Sequence, residues 1–108
     1  MDSNEFLEST TQFHEDCCSI LKKKNADYTG DNSDPFKNFK RCESFDVTTA
    51  KGILVRMNDK MGRIEALTSG HHPKVAESLR DTCLDLSNYA AILSAWIDSQ
   101  TQKDQENL

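Results

Sequence analysis

Glycine and proline are scarce in this chain, 4 and 2 of 108 residues, which excludes turn-dense β-sandwiches and barrels. Long apolar runs are also missing: no stretch of ~18 apolar residues occurs, so no segment reads as a membrane span. There is no basic tract, and 13 Lys and Arg stand against 18 Asp and Glu for a formal charge of -5. A chain with that balance is not expected to bind a nucleic-acid polymer, because such binding rests on neutralising phosphates. Residues 1–25 are acidic and polar, without the basic-then-apolar order of a secretory leader. The four cysteines include no CxxC pair. Cys17 and Cys18 are adjacent and cannot both face one tetrahedral ion from a helix, so neither a zinc site nor a disulfide framework is expected. Reduced thiols in a cytoplasm follow, and Cys17 and Cys83 fall on apolar helical faces as small core hydrophobes.

What the chain does have is helical periodicity in a length that fills one domain. Asp2 or Ser3 can cap a first helix, with Glu5 placed to complete a capping box with Asp2. Phe6, Phe13, Cys17, Ile20 and Leu21 carry that helix to about Lys24, and the lysine run 22–24 suits a helix C-terminus. Asn25 to Pro35 reads as a loop, with Asp34 and Pro35 opening a short helix that carries Phe36 and Phe39 inward and ends near Arg41. A third helix follows Thr48 or Thr49, with Ala50, Ile53, Leu54, Met57, Met61, Ile64 and Leu67 on one stripe and Gly70 as the stop. The fourth is predicted from about Lys74 to Ser99, with Val75, Leu79, Cys83, Leu86, Ala90, Leu93 and Ile97 on its main apolar face. The expected fold is an all-α helical bundle of about four helices, two of them long. Residues 1–99 form its single domain, and 100–108 a polar, frayed tail. His14, His71 and His72 read as surface residues.

Two charged edges stand out. On the fourth predicted helix Glu77, Asp81, Asp85 and Asn88 fall at i, i+4, i+8 and i+11, opposite the main apolar face. Carboxylates stacked in this way destabilise a helix slightly by repulsion, and hard oxygens so arranged suit Mg²⁺ or Mn²⁺. On the third helix Arg56, Asp59, Lys60 and Arg63 share one edge. Lys60 sits inside the apolar stripe, where an ammonium needs a partner or a route to water. Guanidinium and ammonium groups there are candidate phosphate holders. The side of the fourth helix that carries the acids continues as Leu84, Ala91, Ile92 and Ala95, so this helix is apolar on two sides. Leaving Leu84, Ile92 and Trp96 in water forfeits ~1.5–3 kcal/mol per large side chain, which predicts a homodimer or homotetramer.

Three strings together carry a family resemblance: Lys24-Asn25-Ala26-Asp27-Tyr28, RMNDKMGR from Arg56 to Arg63, and ESLRDTCLDLSNY from Glu77 to Tyr89. They resemble the phage and bacterial nucleotide-modification-associated family, within the MazG-like all-α nucleoside triphosphate pyrophosphohydrolases, over residues ~20–95. The resemblance implies an oligomeric MazG-like bundle and a Mg²⁺-dependent hydrolase that cleaves a (d)NTP to the monophosphate and pyrophosphate. Its location would be the cytoplasm, that of a host if the chain is phage-encoded. Carried onto this sequence, Asp59, Glu77, Asp81 and Asp85 would ligate metal, with Asp85 or Glu77 as the catalytic base. Lys24, Arg56, Lys60 and Arg63 would hold phosphates, and Asp27, Tyr28 and Asn88 would approach the nucleoside.

The chain departs from the superfamily pattern of ExxE on one helix and ExxD on the next. Arg56-x-x-Asp59 replaces the first, and Asp81-x-x-x-Asp85 stands at the second, with Thr82 at a glutamate position. From this follows a second expectation, a weak or inactive enzyme that sequesters or senses a nucleotide, with phage counter-defence as one role. A third is a helical interaction module with no ligand.

Overall fold

The computed structural model describes residues 1–29, 34–70 and 78–106, and at 28 and 29 the backbone alone. Three long α-helices and a short 3-10 helix account for nearly all of these residues, and no strand occurs among them. Helix α1 spans Ser3–Thr29. Its start is capped by Asp2, whose Oδ1 accepts from the Glu5 N–H at 2.8 Å. The helix runs through Asn25 to Thr29, where a loop was expected. Each of those residues lowers helix propensity by only tenths of a kcal/mol, and no glycine or proline precedes Gly30. Lys22 to Lys24 are therefore interior to α1 and do not cap its end.

Asp34 organises the entry to the next segment. Its Oδ1 accepts from the Phe36 N–H at 2.9 Å, and its carboxylate also pairs with Lys40. The predicted short helix is a turn followed by a 3-10 helix over Phe39–Phe45, which closes at Asp46 in the left-handed region (φ 61). Helix α2 spans Thr49–Thr68 with Thr48 as its N-cap, the Thr48 side chain accepting from the Lys51 N–H. Gly70 follows with φ 87, the positive value that a helix stop requires. At Gly52 the 3-10 helix lies so close that an added Cβ would meet Cys42 Sγ at 2.7 Å.

Helix α3 spans Leu79–Glu106. The Asp81 N–H donates to Ser78 Oγ at 3.0 Å, so Ser78 acts as its cap. Residues 74–77, which periodicity assigns to the same helix, lie outside the described residues, as do His71 and His72. At the other end α3 continues past Ser99 to Glu106, because the polar tail contains neither glycine nor proline. No described helix is long and apolar enough to cross a membrane.

Helix α3 is the centre of the arrangement: α1 and α2 both pack against it, and the 3-10 helix lies on α2. The buried apolar side chains among the described residues are Cys17, Ile53 and Leu84, and Thr49, Thr82 and Asn88 are buried beside them. The inward side of α3 is thus the one bearing Leu84, Asp85 and Asn88. The face predicted as its main apolar one is only partly covered: Cys83, Leu86 and Leu93 are half-buried, whereas Leu79 and Ile97 are 39% and 53% exposed. The side predicted to lie bare is covered instead: Leu84 is buried, and Trp96 meets Phe36 edge to face at 5.2 Å.

Candidate functional site

Three elements converge on Asp85, near the middle of α3. Lys60 of α2 reaches its Oδ2 at 2.9 Å, and Lys24 of α1 reaches its Oδ1 at 3.4 Å. The Asp85 side chain is 20% exposed, Lys60 22% and Lys24 52%. Burial by itself would raise the Asp85 carboxyl, but the Lys60 hydrogen bond and the charges of Lys24 and Lys60 outweigh it and hold the group below its ordinary value. The ammonium that the α2 stripe placed among apolar residues therefore has its partner, supplied by another helix. Beside this cluster the Asn88 amide donates to the Cys17 carbonyl at 3.1 Å, joining α3 to α1. Farther along, Arg80 pairs with Asp16 at 2.6 Å and lies over Phe13.

Asp85 forms part of the wall of a cleft of about 680 Å³ between α1, α3 and the segment that begins at Pro35. That size lies within the ~300–1,000 Å³ usual for small-molecule sites. Among the described residues its charged lining is five cations, Lys22, Lys24, Lys37, Arg41 and Arg56, against one carboxylate, Asp85. Its apolar lining includes Phe36, Phe39, Tyr89 and Ile92, and Asn25, Asn38 and Asn88 contribute amides. The aromatic wall is braced from within: Phe39 meets Tyr89 edge to face at 6.5 Å, and the Arg56 guanidinium lies 4.8 Å from the Phe39 ring centre. Chemically such a lining suits an anion joined to a flat or apolar body.

The residues predicted from sequence divide accordingly. Lys24, Arg56, Asp85 and Asn88 line the cleft, whereas Lys60 stands behind Asp85 and Arg63 is not part of the lining. Asp27, Asp59 and Asp81 are exposed on α1, α2 and the first turn of α3, and none of them lines the cleft. Glu77 and the Tyr28 side chain lie outside the described residues. Among the described residues no three His, Cys, Asp or Glu side chains gather as a metal-binding group, and both Asp85 oxygens already face ammonium groups. That donor set does not fit Mg²⁺, which takes carboxylate oxygens directly and would be repelled by the two lysines.

Sequence reasoning missed the contribution of Lys22, Lys37, Asn38 and Arg41. A signal was present in Phe36-Lys37-Asn38-Phe39-Lys40-Arg41, where aromatic and cationic residues interleave. Helical spacing in this segment assigns the two phenylalanines to the core alone. Comparisons with protein-family models, curated proteins and solved structures give no match to this chain.

Proposed function

We propose that the protein binds a nucleotide in this cleft, with the phosphates on the cations and the base against the aromatic wall. The observation that carries the reading is the lining itself, five cations and three aromatic rings around one carboxylate. Guanidinium groups offer paired donors to phosphate oxygens, and rings accept a base face. The resemblance to the nucleotide-modification-associated family points to the same ligand class. Sequestering or sensing is favoured over hydrolysis because both Asp85 oxygens already face ammonium groups, which leaves this carboxylate poorly placed to take a proton from water. Among the described residues Asp85 is the one carboxylate in the lining, and the two lysines hold it below its ordinary value.

The hydrolytic reading, cleavage of a (d)NTP to monophosphate and pyrophosphate, uses the same cleft and is separated by product analysis. Calorimetry with ATP, dATP and the other common (d)NTPs is expected to show saturable binding to at least one. Chromatography after hours of incubation is expected to recover the triphosphate intact. Product formed at an enzymatic rate would replace sequestration with hydrolysis, and no binding across the panel would remove the nucleotide reading.

A homodimer or homotetramer belongs to the same proposal. The radius of gyration is 16.4 Å, against about 13 Å for a compact domain of this length. Phe6, Leu7, Leu54, Val55 and Ile97 are all more than half exposed. Sedimentation at micromolar concentration is expected to give a mass at least twice that of one chain, and a monomer there would refute it.

A further inference from the structure

We propose that the cleft grips the nucleotide phosphates with its own ammonium and guanidinium groups and needs no divalent cation to do so. In this arrangement Asp85 is the counter-ion that holds Lys24 at the cleft until phosphate arrives. The inference rests on the nucleotide reading above and goes beyond it by assigning the charge chemistry of the site.

The geometry separates the two lysines. Lys60 holds Asp85 at 2.9 Å from behind and does not line the cleft. Lys24 does line it, is half exposed, and reaches Asp85 at the looser distance of 3.4 Å. An incoming phosphate offers Lys24 a more highly charged partner on its open side, while Lys60 remains to neutralise Asp85. The two ammonium groups thus take up the carboxylate that a metal would otherwise use. The exposed Asp59 and Asp81 supply no alternative cluster among the described residues.

The charge balance points the same way. Among the described residues, Lys22, Lys24, Lys37, Arg41 and Arg56 against Asp85 leave an excess of four positive charges in the lining. That excess suits a polyphosphate carrying its full charge better than one whose charge a bound cation has already reduced.

The test is calorimetry of the full-length chain with ATP, dATP and inorganic tripolyphosphate, each in excess EDTA and in excess Mg²⁺. Affinity in EDTA is expected to equal or exceed that in Mg²⁺, with tripolyphosphate binding as well. Lys24→Gln is expected to weaken binding in EDTA about tenfold, the loss of one charge-assisted contact. Asp85→Asn is expected to strengthen it by removing the competing carboxylate. Binding that appears only with Mg²⁺ would overturn the inference and leave the nucleotide reading standing, as would an Asp85→Asn variant that melts like the wild type but loses Mg²⁺-dependent binding. No binding of any probe in either buffer would overturn both. Should circular dichroism show Asp85→Asn unfolded, the wild-type comparison and Lys24→Gln decide the matter.

Discussion

Replacing Arg56 by alanine is expected to weaken nucleotide binding by about 10- to 150-fold, with little change in the melting temperature. The range corresponds to the ~1.5–3 kcal/mol of a hydrogen bond to a charged group. Arg56 combines two roles in the cleft. Its guanidinium can offer two parallel donors to phosphate, and it lies over the Phe39 ring, 4.8 Å from the centre. Lysine at this position would restore the charge but not the fork or the stacked plane, so Arg56→Lys is expected to recover only part of the loss. Because Arg56 is exposed on α2, its removal leaves no cavity. Lys51, exposed on α2 and outside the lining, is the control, and its replacement by alanine should leave affinity within about twofold at moderate salt. An Arg56→Ala affinity equal to that of the wild type would place the phosphates elsewhere.

Ile53→Ala is expected to have the largest effect on stability, a loss of about 2–5 kcal/mol. Ile53 has no exposed surface and sits on α2, which packs against both α3 and the 3-10 helix. Few other buried apolar side chains share the load. Among the described residues Leu84 and Cys17 are the remaining ones, so the neighbours of a truncated Ile53 have little apolar mass with which to refill the space. Against a typical total of ~5–15 kcal/mol, such a loss consumes a large share of the stability. A chain of this length should drop by roughly 4–8 °C per kcal/mol. Lys51→Ala, two residues away and exposed, should stay within about 0.5 kcal/mol. Urea titration read by circular dichroism distinguishes the two. Equal midpoints for both variants would mean that the packing of α2 on α3 does not support the fold.

Much of the candidate site is legible in the sequence, but not its arrangement. Arg56, Asp85 and Asn88 stand out from spacing and charge and Lys24 from the family resemblance, and all four line the cleft. Lys60 was recognised as an ammonium in need of a partner, and Asp85 is that partner. The acidic ridge was read as one continuous row from Glu77. Helix α3 instead begins after Ser78, whose hydroxyl caps the Asp81 N–H, so Asp81 lies at an exposed helix start while Asp85 lies inside. A capping serine was present in the sequence, but Pro73 was the stronger start signal by position. Lys22, Lys37 and Arg41 were overlooked for a different reason. Each is unremarkable on its own element, and they form one lining only where α1 and the segment after Pro35 meet α3.

Helix content and the extent of α2 are legible in the sequence, which also narrows the caps to Asp2 or Ser3 and Thr48 or Thr49, because caps and a 3.6-residue stripe act within a few residues of one another. The inward face of α3 is not settled in that way. Both sides of this helix carry apolar residues, so its own pattern satisfies either orientation, and only the positions of α1 and α2 select the side with Leu84 and Asn88. The meeting of Lys24 and Lys60 at Asp85 is likewise a tertiary outcome. The three charges come from three separate helices, and an attraction of that kind acts only once packing has brought its partners within a few ångströms.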